Sequence, residues 1–134
     1  MTDATSALQA AMYTALVGHQ PLMDIITGVH DYTPDQKPFP YVQFGTIDAV
    51  DFGTKTFDGH EHTVELHVWS RERGRRQAYQ IMGLIYAVLH RAQLVLTGHH
   101  LVLLRFDYQT TLWEPDGKTA HGIIRFRSLS QVTT

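Results

Sequence analysis

Apolar and polar residues alternate over Thr63-Val64-Glu65-Leu66-His67-Val68-Trp69, so Val64, Leu66 and Val68 share one face and Thr63, Glu65, His67 and Trp69 the other. This alternation predicts a half-buried antiparallel strand over residues 61–69, since a parallel strand is usually apolar on both faces. Further along, the period changes. Ala78, Ile81, Met82, Ile85, Val88 and Leu89 recur at spacings of three and four and predict one long amphipathic helix whose stripe can cover a sheet. The same spacing in Leu8, Ala11, Met12, Ala15 and Leu16 predicts a first helix, with Asp3 or Thr5 as its cap and Gly18 just past its end. Pro21 then opens a second, short helix that carries Leu22, Ile25 and Ile26 and stops at Gly28.

Val29-His30-Asp31 is a brief extended piece. Pro34, Pro38 and Pro40 exclude a helix and predict an exposed connection with Asp35, Gln36 and Lys37 at its tip. Residues 41–47 form a strand in which Gly45 suggests a bulge. Residues 48–60, polar and containing Gly53 and Gly59, link this strand to the next as a long antiparallel hairpin. The link carries Phe52 and Phe57, which either project as a binding tip or fold back onto the sheet. After the long helix, residues 101–108 and 122–129 form two more strands joined by the turn Glu114-Pro115-Asp116-Gly117. The order predicts a single α+β domain over 1–134, an antiparallel or mixed sheet of about four strands packed by one long and one or two shorter helices.

A chain of 134 residues can bury a core of its own. Its formal net charge of −2 argues against a strong nucleic-acid binder, whose affinity comes mainly from neutralising phosphates. The absence of cysteine removes disulfides, thiolate metal sites and thiol nucleophiles. No apolar run reaches the roughly 20 residues of a membrane span, and the first six residues lack the basic and apolar regions of a signal peptide, so a cytoplasmic product without a membrane partner is expected.

Four arginines, Arg71, Arg73, Arg75 and Arg76, sit between the alternating strand and the long helix, where the helix dipole disfavours positive charge. Either they are solvated and pair with Glu72 and nearby carboxylates, or they meet an acidic partner. Ser70 is the expected cap of that helix. Of the nine histidines, His60 and His62 share a strand face, His67 lies on the other, and His99 and His100 fall in a turn. Two histidines two apart could hold a metal, but no third ligand is placed by spacing, so no metal or cofactor is assigned. A Ser70, His67, Asp58 constellation can be drawn only arbitrarily. No HExxH, GxSxG, P-loop or GxGxxG pattern occurs, and nothing supports an enzyme.

The runs Phe39-Pro40-Tyr41-Val42, Gly53-Thr54-Lys55-Thr56, Gly59-x-Glu61-His62-Thr63 and Leu66-His67-Val68-Trp69-Ser70-Arg71 are followed by Gly74-Arg75 and a helix. The chain closes with Pro115-Asp116-Gly117-Lys118-Thr119-x-His121-Gly122 and Arg125-Phe126-Arg127. Together these resemble the small tail-completion or tail-terminator proteins of long-tailed bacteriophages and gene transfer agents.

The resemblance implies a small α/β fold without catalytic residues. It also implies a ring subunit, typically one of six, at the head-proximal end of the tail tube, where it stops tube polymerisation and joins the head-to-tail connector. The product would be assembled in the bacterial cytoplasm and reside in the particle, with DNA passing unread through the ring. The expected interface residues are Phe52, Thr54, Lys55, Phe57 and Asp58 on the hairpin and Arg71, Arg73, Arg75 and Arg76 on the turn. The arginines would meet a neighbour's Asp48, Asp51 or Asp58. The alternatives are a nucleic-acid module that stacks bases on Trp69, Phe52 or Phe57 beside the arginines, and a small metal-dependent enzyme built on His60 and His62.

Overall fold

The computed structural model describes residues 3–36 and 38–133, so Lys37 at the tip of the proline connection lies outside the described residues. Helix α1 (Ala4–Val17) starts at Asp3, not at Thr5, because the Asp3 carboxylate accepts a hydrogen bond from the Ser6 amide at 2.7 Å. Helix α2 (Gln20–Met23) is a single turn with Pro21 in its opening positions, shorter than the apolar spacing to Ile26 suggested. The chain then forms β1 (Val29–His30), β2 (Tyr41–Asp51), β3 (Gly59–Ser70), α3 (Arg76–Leu89), β4 (His99–Trp113) and β5 (Ala120–Val132).

The expected α+β class holds, with five strands in place of about four. Their order is β1-β2-β3-β5-β4, and the added strand is β1, which pairs parallel with β2 at Val42 and Gln43 and makes the sheet mixed. All other pairings are antiparallel. The bulge expected at Gly45 is present as a register shift between Phe44 and Ile47.

Both hairpins are longer than the hydrophobic pattern indicated. Strand β2 runs on to Asp51 and β4 to Trp113, so the 48–60 connection contracts to residues 52–58. It is closed by Phe52 N–H to Gly59 O at 2.9 Å and Thr54 N–H to Phe57 O at 2.8 Å.

The helices lie on one face of the sheet. Ile81, Met82, Ile85 and Leu89 of α3 are fully buried against Val64, Leu66, Val68, Ile124 and Phe126, and each such side chain contributes roughly 1.5–3 kcal/mol of transfer free energy. Val88, at the edge of the same stripe, is half-buried. Gly122 lets α3 approach closely, since a Cβ there would sit 3.0 Å from Met82 Sδ.

Ser70 is not the cap of α3. It ends β3 facing the core, where its Oγ donates to Gln77 Oε1 at 2.6 Å, and the chain turns through Gly74 (φ +85°) before the helix begins at Arg76 without a side-chain cap. Ladder pairing to Ala120 extends the strand to Ser70, which forces the later helix start.

Candidate assembly surface

The nine residues singled out in the sequence fall into two groups at opposite ends of β3. At 12 residues, β3 spans about 40 Å, so within one molecule the hairpin tip cannot touch the arginine turn.

At the tip, Phe52 is 50% exposed, Thr54, Lys55 and Asp58 are exposed, and Phe57 is half-buried with its ring against the Gly59 backbone. The two alternatives for these phenylalanines are therefore divided between them. The Thr54 and Thr56 hydroxyls bond each other at 3.1 Å, and Thr56 N–H donates back to Thr54 Oγ1.

At the other end all four arginines are exposed, but two are held within the chain. Arg71 donates from Nε to Thr119 Oγ1 at 3.1 Å, lies 3.6 Å from Asp116, and covers the Phe39 ring at 4.3 Å. Asp116 is fixed by the amides of Lys118 and Thr119 and by the Thr119 hydroxyl, which with Arg71 bring its carboxyl down to about 2. Arg75 sits 5.1 Å over Trp113. Glu72, expected to pair with the arginines, accepts from Gln77 Nε2 at 3.3 Å.

The sheet face opposite the helices carries a polar and aromatic cluster that local sequence signals did not reveal. His67 Nδ1 lies 2.6 Å from His121 Nε2, one ring donating to the other, and the Trp69 ring stacks on His121 at 3.9 Å. Glu65 stands 3.6 Å from His67 and accepts from Arg125 at 2.8 Å. Burial, with the charge of His67 adding to it, lowers the His121 imidazole to about 4, so the His121 ring is neutral at neutral pH. His121 stands 54 residues from His67, and only the β3–β5 register, in which Trp69 faces His121, brings them together.

This cluster bears on the alternatives. A base cannot stack on the Trp69 face that His121 occupies, and Phe52 and Phe57 are at the far end from the arginines. His60 and His62 have ring centroids 5.9 Å apart, and His62 is fully buried beneath α1, with Nε2 3.0 Å from Thr5 Oγ1. Burial, then the nearby His60 and His99, lower the His62 imidazole. Among the described residues no group of three or more histidines or carboxylates is arranged to hold a metal. Ser70, His67 and Asp58 are not assembled: Ser70 faces the helices, His67 the opposite side, and Asp58 the hairpin tip. The groove of about 540 Å³ between α1 and β1 is lined largely by apolar and aromatic residues such as Ala10, Tyr13, Val17, Met23, Val29 and Phe44.

The described surface thus offers edges, ends and a bare sheet face, and comparison with known proteins agrees with that character. The tail completion protein gp17 of Bacillus phage SPP1 is 32% identical over 124 residues, 92% of either chain. A chain from the solved virion of a native gene transfer agent particle superposes with a TM-score of 0.88 at 27% identity, over 97% of this chain and 99% of that one. The solved gp17 protein of bacteriophage SPP1 superposes with a TM-score of 0.67 at 30% identity, over 98% of this chain and 91% of that one. The family model described as tail completion protein gp17 matches residues 10–131, and the chain therefore belongs to that family of structural virion proteins, which are not enzymes.

Proposed function

We propose that this chain is a tail terminator, a subunit of a closed ring of six copies at the head-proximal end of a tail tube. The ring stops tube polymerisation and joins the tail to the head-to-tail connector of a phage or gene transfer agent particle assembled in the bacterial cytoplasm. The family match over residues 10–131 carries this reading. It is supported by the closer superposition on the relative taken from a virion than on the solved SPP1 gp17 protein, 0.88 against 0.67, despite the lower identity of the former.

The geometry is suited to the role. A closed ring needs two complementary patches on each subunit, and the sheet provides two lateral edges. Its two ends carry the nine interface residues, Phe52, Thr54, Lys55, Phe57 and Asp58 at one and Arg71, Arg73, Arg75 and Arg76 at the other, available for the tube protein and the connector. A net charge of −2 suits DNA passage through the lumen better than DNA capture.

The test is to add the purified chain to growing tubes of tail tube protein and image the ends. Capped tubes of halted length support the proposal; tubes that keep growing, with bare ends and the chain left in solution, overturn it.

A further inference from the structure

Past Gln43 the outer edge of β2 has no strand beside it among the described residues, because β1 pairs only at Val42 and Gln43 before the chain leaves the sheet. Hydrogen bonds fix which backbone groups that edge presents. Val42 N–H donates outward to Gly28 O, and Phe52 N–H donates inward to Gly59 O. Alternate residues of a strand bond to opposite neighbours. Beyond the register shift at Phe44 to Ile47, residues 48, 50 and 52 therefore bond to β3, while Ile47, Ala49 and Asp51 aim their N–H and C=O groups away from it. Among the described residues no turn, loop or side chain bonds to those outward groups. The outer edge of β4 differs, since Leu104 O accepts from Arg91 N–H and Phe106 N–H donates to His90 Nδ1.

The open edge continues into the groove of about 540 Å³ between α1 and β1, whose lining includes Phe44, the first β2 residue past β1, with Ala10 and Tyr13 of α1. Helix α1 also reaches the level of Ala49, because Thr5 Oγ1 lies 3.0 Å from His62, the residue opposite Ala49 on β3. A segment laid along β2 would thus have backbone groups at its side and α1 beneath it. Ile47, Ala49 and Asp51 share the helix face of the sheet with Val64, His62 and His60, whereas Asp48 and Val50 are on the other face.

Charge narrows the occupant. Asp48 and Asp51 are exposed on the edge, Asp51 also accepting from Gly53 N–H at 3.3 Å. The groove lining adds Asp31 and contains no lysine or arginine. A second copy of the β2 edge would set these carboxylates against their own kind, which disfavours pairing of like edges.

We infer that the β2 edge over residues 47–51 takes up an extended, basic arm of another protein as an added antiparallel strand. Lysine or arginine side chains of the arm stand opposite Asp48 and Asp51, and apolar ones opposite Ile47 and Ala49 and onward into the groove. Main-chain bonds provide the affinity, and the alternating side chains the specificity. Edge and groove belong to one subunit, so the site does not depend on ring closure.

The test is fluorescence anisotropy of two labelled heptapeptides, KVVKVTV and its acidic counterpart EVVEVTV, titrated with the full chain. In the antiparallel register their first and fourth residues face Asp51 and Asp48. KVVKVTV should bind at least tenfold more tightly than EVVEVTV, and the double variant D48K/D51K should reverse that preference. Ala49→Pro removes the outward N–H at the centre of the edge while leaving the bonds to β3, and should weaken KVVKVTV at least tenfold. Hydrogen exchange on the unaltered chain reads the same contact without a proline: bound KVVKVTV should slow the amides of Ile47, Ala49 and Asp51. No binding of KVVKVTV, equal binding of the two peptides, or exchange at those three amides unchanged by the peptide overturns the proposal. So does self-association of the chain that Ala49→Pro abolishes, since the occupant is then a second copy. None of these results bears on tube capping, which decides the ring reading separately.

Discussion

Gly45 is the position where one methyl group should disrupt the His67–His121 pair. A Cβ at residue 45 would lie 2.3 Å from His67 Nε2 and 2.4 Å from Cδ2. Ordinary contact is about 3.5 Å or more, so Gly45→Ala must push the ring aside by about 1 Å. That shift breaks the 2.6 Å bond to His121, worth about 1 kcal/mol, and disturbs the 4.8 Å stack, worth about 0.5–1.5 kcal/mol. An off-rotamer ring adds about 0.5–1.5 kcal/mol, while the loss of glycine freedom in the unfolded chain returns about 0.4–1 kcal/mol. The net destabilisation is about 1–3 kcal/mol. On a His67→Ala background the methyl meets no ring, so the same substitution should change sign and stabilise by about 0.5 kcal/mol. Denaturant unfolding of the four proteins of this cycle at pH 7.5 measures the coupling. An equal cost for Gly45→Ala on both backgrounds would refute the reasoning, because the glycine would then be required for backbone reasons alone.

Other outcomes follow from the same contacts. His121 is lowered in the fold to about 4 from an ordinary 6.5, so the unfolded chain binds the extra proton first. Its contribution is therefore complete above about pH 6.5 and is lost as pH falls toward 4, about 1–2 kcal/mol after discounting for partial exposure; His121→Gln should flatten that part of a stability–pH curve. Gly122→Val should cost about 1–3 kcal/mol in denaturant unfolding, since the branched side chain meets Met82 and Val68 where α3 lies on the sheet. Asp3→Ala should speed hydrogen exchange at the Ser6 amide, which loses its acceptor, while amides of β3 remain protected.

What could be read from the sequence depended on whether burial wrote a period into it. Strand β3 and helix α3 were legible because each has one buried face: Val64, Leu66 and Val68 in the strand, Ile81, Met82, Ile85 and Leu89 in the helix. The ends of β2 and β4 were not. Asp48 to Asp51 and Gln109 to Trp113 are largely solvent-exposed, so their strand state comes from backbone pairing to β3 and β5, which leaves no alternation. Two-residue β1 depends on tertiary pairing in the same way. The candidate interface residues were found as local anomalies, aromatics on a loop and arginines at a helix start, but their separation to opposite ends of β3 is a property of the fold. The His67–His121 pair was hidden for a related reason, since it arises from register between strands distant in sequence.

The fold also bears on the cost of assembly. A loop that orders only on docking spends part of its interaction energy on ordering, whereas a loop already ordered does not. The hairpin tip is closed by two backbone bonds and by the Thr54–Thr56 hydroxyl pair, and Arg71 at the other end is tied to Thr119, Asp116 and Phe39. Both end surfaces are thus built by contacts within the subunit, before any partner arrives. The outer edge of β4 is likewise tied within the chain, since Arg91 N–H donates to Leu104 O at 2.8 Å and Phe106 N–H to His90 Nδ1 at 2.9 Å. A subunit arranged in this way presents preformed surfaces at both ends, which spares a partner the cost of ordering them.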